Sequence, residues 1–227
     1  VAGDPAAAHD VRLLAAIIAK NYALAHTVAP GDATACITAV FHALPAAPTR
    51  VLTMLAFFLE ALTRHDHAAR VSVLTTAAKT LPLALPVIDA LLSYSYIDQC
   101  ELIALCEPDG VLDALVRVSD TNGSPVAIKV IESVISFVCL GEDRSYALPA
   151  MKRALPTLAR ALGGTTLLGW LHALSALRLL FAELPELAEP HAGDVLEGLV
   201  KLARHIAELQ ETGQWAQYES TTEQAAD

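Results

Sequence analysis

Three seven-residue segments of this chain superimpose without gaps: Val111–Arg117 (VLDALVR), Ala154–Arg160 (ALPTLAR) and Val195–Lys201 (VLEGLVK). They start 43 and then 41 residues apart. Each keeps a leucine, two spacers, a second leucine, an apolar residue and a cation. Leu74 to Lys79 and Ile37 to His42 keep the same order of apolar, spacer and basic positions further upstream, at shorter spacings of 38 and 37 residues. A period near 40 residues defines one supersecondary unit. A single helix pair cannot bury its apolar face, whereas a stack of pairs buries a continuous core.

Composition fits helices in such a stack. Apolar residues make up 54% of the 227 residues and charged residues only 18%, so much of the chain has to be buried. Alanine and leucine, both strong helix formers, dominate. Aromatics reach only 5%, where a sheet would call for more aromatic and β-branched side chains.

Helical periodicity runs almost throughout, broken by short polar or Gly/Pro segments such as Pro30-Gly31-Asp32, Pro108-Asp109-Gly110, Asn122-Gly123-Ser124-Pro125, Gly163-Gly164 and Pro190 to Asp194. The predicted helices span 5–27, 32–44, 48–64, 66–79, 82–94, 96–106, 109–119, 124–140, 146–162, 165–183 and 193–210. Short connections make consecutive helices antiparallel neighbours. The expectation is one helical-repeat domain over 1–210, followed by a polar, acidic and disordered tail over 211–227.

Glu107 to Val116, with Gly110 ahead of Val111, resembles the "G-(A/V)-(L/I)-x-x-L-(V/I)" opening of the last helix in an armadillo repeat. Ser124-Pro125-Val126, the run Ile128 to Cys139 and the exit Leu140 to Asp143 resemble the middle helix and its loop. The likeness is good over 96–162, recognisable over 165–205 and weak before 80. Arg153 and Asp194 stand where the other two repeats would carry the glycine, which makes those turns more like HEAT units. The resemblance implies an all-α, right-handed α-solenoid of about five armadillo/HEAT-like repeats, its last helices lining a concave groove.

The repeated cation supplies the first candidate site. His42, Lys79, Arg117, Arg160 and Lys201 occupy equivalent positions and would form a row in a regular stack, with Arg204 beside it. Such a row could grip an acidic peptide or helix, the arginines binding carboxylates bidentately. The competing explanation is electrostatic: a cation late in a helix complements the macrodipole. Tyr94 and Tyr96, with Tyr146 and Trp170, are the aromatic candidates for a binding hot spot, against simple filling of gaps between helices. His65-Asp66-His67 has no evident partner cluster in the sequence and reads as a solvated turn. Cys36, Cys100, Cys106 and Cys139 all fall in apolar helical patterns and read as buried core thiols.

No nucleophile elbow, phosphate loop or zinc-protease helix is present in the sequence. Gly163-Gly164-Thr165-Thr166 lacks the lysine and preceding strand of a phosphate loop, and reads as a helix stop followed by a cap. No cofactor is expected. A net charge of −10 argues against nucleic acid and against polybasic attachment to a membrane. The N-terminal residues lack a basic stretch like that of a secretory signal, and no uninterrupted apolar run reaches about twenty residues. A cytoplasmic location is expected, with nuclear and ciliary ones as alternatives.

The functional expectation is a non-catalytic scaffold or adaptor that binds a partner protein in its groove. By similarity of size and fold, three narrower readings stay open: an armadillo-type nucleotide exchange factor of the seventy-kilodalton heat-shock chaperones, a HEAT-type tubulin-binding domain, or an interaction module of a larger cytoskeletal, ciliary or signalling protein. Two rivals are an enzyme with an unrecognised site and self-assembly through apolar terminal helices, helix 5–27 being very apolar from Leu13 to Ile18.

Overall fold

The computed structural model describes residues 2–3, 7–93, 97–141 and 143–215. It is all-α, with no strand among the described residues. The helices are α1 (His9–Ala25), α2 (Pro30–Ala43), α3 (Thr49–Thr63), α4 (His67–Lys79), α5 (Leu85–Ser93), α6 (Gln99–Cys106), α7 (Val111–Asn122), α8 (Pro125–Leu140), α9 (Leu148–Leu162), α10 (Leu167–Glu183), α11 (Pro185–Ala188) and α12 (Ala192–Glu211). These follow the predicted spans closely, with later starts at α1, α5 and α6. The last gap differs: residues 185–191, expected as part of a break, form the single turn α11 and a short 3-10 turn. α12 runs to Glu211, one residue into the expected tail. Residues 216–227 of that tail lie outside the described residues.

The chain divides into two compact units, residues 1–105 and 106–227, where the sequence reading treated 1–210 as one stack. In the first unit α3 is central and packs against α1, α2, α4 and α5. Its apolar residues Val51, Leu55, Phe58 and Leu59 recur at helical spacing and are all buried. α5 is short and almost wholly interior, with Val87, Ile88 and Leu91 fully buried. Pro30 opens α2 at a position where a missing N–H costs nothing. Asp66 caps α4 by accepting the Ala69 N–H at 3.0 Å.

In the second unit α7 contacts α9 and α9 contacts α12, while α8 contacts α10. Two layers result, joined by α7 on α8 and α9 on α10. The turn from α7 to α8 is fixed locally. Gly123 takes the left-handed conformation (φ 61°) that ends α7, Ser124 caps α8 by accepting the Ala127 N–H, and Pro125 follows at the first turn. α8 then contributes Ile128, Ile131, Val134, Ile135 and Val138 to the core.

Two helices carry apolar residues on their outer sides. On α1, Val11, Leu14, Ile18 and Tyr22 are exposed, and on α12 Leu196, Leu199 and Val200 are exposed. Among the described residues, no single helix is long and apolar enough to cross a membrane.

Candidate partner-binding groove

The groove lies between α9 and α12 in the second unit. The two helices approach so closely that a Cβ on Gly198 would stand 2.5 Å from the Ala159 carbonyl oxygen. Beside this contact the surface opens into a groove of about 470 Å³ lined by Pro156, Ala159, Arg160, Gly163, Asp194, Glu197, Gly198 and Lys201. Arg160 and Lys201, equivalent positions of the sequence repeat, therefore face one groove.

Those cations have acidic partners within the chain. Arg160 Nη2 meets Asp120 Oδ1 at 2.6 Å, and the same oxygen accepts the Thr157 hydroxyl at 2.8 Å. Lys201 Nζ lies 2.7 Å from Glu197 Oε1 and holds that carboxyl below its usual range through the hydrogen bond. One helix away, Arg117 on α7 sits 3.4 Å from Asp109. Arg153 Nε donates to Asp113 Oδ1 at 2.7 Å, a hydrogen bond that raises its own pKa. Each of these pairs is at least partly exposed, so each contributes little stability. Their effect is on the surface potential: the groove presents alternating signs where the sequence reading expected bare cations.

Three side-chain pairs in this unit are 40 residues apart: Asp113–Arg153, Asp120–Arg160 and Glu132–His172. The first two join α7 to α9, and the third joins α8 to α10. Each pair therefore ties neighbouring helices of one layer together.

The other candidates are placed as follows. His42 and Lys79 are exposed in the last turns of α2 and α4, in the first unit, the positions at which a cation complements the helix dipole. Arg160 also lies in a last turn. Arg117 and Lys201 do not, because α7 and α12 continue to Asn122 and Glu211, so the dipole does not explain all five. Arg204 is exposed on α12. Tyr94 and Tyr96 lie outside the described residues. Tyr146 is half-buried, and burial pushes its phenol pKa up.

Trp170 takes the gap-filling alternative and leaves the hot-spot group. It is 2% exposed, donates its indole N–H to the Gly164 carbonyl at 2.8 Å and meets His205 edge-on, so it fills the interior. The cysteine reading also needs amendment: Cys106 and Cys139 are buried, Cys36 is half-buried and Cys100 is exposed. Gly163 and Gly164 stop α9 as expected, while Thr166, at the cap position of α10, makes no side-chain cap hydrogen bond.

A second polar cluster was missed in the sequence. His67, read as part of a solvated turn without partners, places Nδ1 2.8 Å from Glu101 Oε1 and 3.1 Å from Asp98 Oδ2. Arg70 Nε lies 3.1 Å from the same Glu101 oxygen, and both Arg70 and Glu101 are fully buried. The available signal was Asp98 three residues ahead of Glu101, a helix-start pattern. Asp98 does cap α6, accepting the Glu101 N–H at 2.8 Å, but the Glu101 side chain turns to α4 instead of closing a capping box. No protein-family model, curated protein or solved structure matches the chain.

Proposed function

We propose that the chain is a non-catalytic helical-repeat scaffold that binds a peptide or helix of a partner protein in the α9–α12 groove. The observation that carries this reading is the convergence of Arg160 and Lys201, two equivalent repeat positions, on one groove. The recurrent 40-residue pairs and the two helix layers of the second unit support a right-handed armadillo/HEAT-like α-solenoid. Stacked repeats give extended surface, which suits binding better than turnover.

The lining refines the expected partner. A purely acidic segment would have to take Arg160 from Asp120 and Lys201 from Glu197. A segment with carboxylates facing the two cations and a cation facing Asp194 and Glu197 matches all four charges. Complementarity of this kind governs specificity and association rate more than raw affinity.

Affinity capture with the whole chain tests the reading, comparing wild type with Arg160→Glu/Lys201→Glu. A discrete partner retained by wild type and lost from the folded double variant supports it. Identical capture by both removes the groove from the account.

Self-assembly is a second reading, favoured by one observation: Leu14, Ile18 and Tyr22 on α1 and Leu196 on α12 are each more than half exposed. A concentration-dependent mass in sedimentation would favour it.

A further inference from the structure

We infer that His67, Asp98 and Glu101 form a binding site for a divalent transition-metal ion of the zinc type, linking the start of α4 to the start of α6. The three ligand atoms all lie within 4.8 Å of one another. The His67 Nδ1 separations of 2.8 Å from Glu101 and 3.1 Å from Asp98 are those of a hydrogen-bonded ion pair. Nitrogen and oxygen donors at about 2.0–2.2 Å from a tetrahedral ion stand about 3.3–3.6 Å apart, so a metal would take the place of the bridging proton with the ligands spread by about half an ångström.

A second observation is independent of that clustering. Glu101 is fully buried, and its other oxygen, Oε2, has no hydrogen-bond partner, nor have Nε and Nη1 of the neighbouring buried Arg70. An unpartnered carboxylate oxygen in the interior carries a desolvation cost that a native structure is expected to offset. A metal held by His67 and Asp98 would offset it, because Oε2 is attached to the same carbon as the oxygen already in the cluster.

The surroundings position the ligands. The Glu101 N–H holds Asp98 Oδ1 at 2.8 Å, leaving Oδ2 toward His67. Arg70 Nε lies 3.1 Å from Glu101 Oε1 on the interior side as an ion pair without hydrogen-bond geometry, and Arg70 itself is fixed by donating Nη2 to the Leu91 carbonyl at 2.9 Å. Outer contacts of this kind orient metal ligands. His67 is half-exposed and Asp98 less so, so entry and water ligands come from the solvent side. One imidazole with two carboxylates suits zinc and its first-row neighbours better than calcium or magnesium, which prefer all-oxygen sites. The adjacent Arg70 charge opposes a cation, so binding is weaker than at a closed four-ligand zinc site.

The test uses the full chain after treatment with a chelator, in a Cys100→Ser background because Cys100 is exposed next to α6's ligands. Zinc chloride is titrated calorimetrically, and thermal unfolding is followed with and without zinc. Cobalt absorption reports whether thiolate takes part. Asp98→Asn keeps a capping residue and His67→Gln changes an exposed side chain, so both variants fold. The expected result is one zinc per chain, a higher Tm with zinc, no thiolate band with cobalt, and affinity lower by about tenfold or more in each variant. Absence of stoichiometric binding overturns the inference, and so does equal binding by wild type and both variants. In the first case the His67 proton is the counter-charge, and in the second the metal sits elsewhere.

Discussion

Gly198 faces the carbonyl oxygen of Ala159 with no room for a methyl group between them, since a Cβ would lie 2.5 Å away. That clearance sets the distance between α12 and α9 and hence the floor of the groove. Gly198→Ala gains helix propensity of about 1 kcal/mol but forces the two helices apart, and overpacking typically costs about 1–3 kcal/mol. Urea denaturation is expected to show a net loss, with partner capture reduced as well. Gly193→Ala is the control: no atom lies within 4 Å of its added methyl, so it is expected to stabilise α12 by up to about 1 kcal/mol.

The buried pair Arg70–Glu101 makes an asymmetric prediction. Removing one partner takes from the other its buried counter-charge, and Arg70→Met or Glu101→Leu is expected to cost about 3–5 kcal/mol in chemical denaturation. The double variant Arg70→Met/Glu101→Leu is expected to recover much of that loss, because neither charge is left behind. Additive losses would mean that the two groups do not depend on each other.

Asp120 couples the groove to the core. Its Oδ1 accepts from exposed Arg160 and from Thr157, which is 2% exposed. Arg160→Ala is expected to cost less than about 1 kcal/mol, as for a surface pair. Asp120→Ala costs more, about 1–3 kcal/mol, because it leaves the buried Thr157 hydroxyl without its acceptor. If Arg160 serves a partner's carboxylate, Asp120→Asn releases it, and capture becomes stronger.

The cysteines divide by environment. Burial, with Asp113 adding a smaller push, raises the Cys106 thiol to about 12, so at pH 8 it stays protonated and unreactive. The sign is unambiguous, since raising pH generates the thiolate only as it nears that value. Alkylation followed by mass spectrometry at pH 8 is expected to label Cys100 first and Cys106 only on unfolding. Rapid labelling of Cys106 in the folded protein would contradict this account of its burial.

Much of the fold was legible because it is written in local chemistry. Gly123, Ser124 and Pro125 mark one helix end and the next helix start within three residues, and each acts as its type requires. The groove was half legible. The repeat motif brought out Arg160 and Lys201, and Asp113 stood inside the same motif, yet its partner Arg153 lies 40 residues on, short of the 43 that separates equivalent motif positions, so the motif alone did not point to it. The Arg70 cluster was not legible. An arginine in a helix reads as solvated, and nothing near it in sequence announces a glutamate 31 residues on that shares its burial. For Trp170 the sequence left contact residue and gap filler side by side, because only packing tells which side of a helix a tryptophan occupies; its burial fits the gap filler.

Site-specific photo-crosslinking measures the central claim most directly. A photoreactive residue replaces Asp194 or Glu197, both exposed at the groove, or Arg178, exposed on α10 and outside the groove lining. The account predicts one crosslinked partner from positions 194 and 197 and none from 178. A partner trapped equally from 178, or from 178 alone, would contradict it.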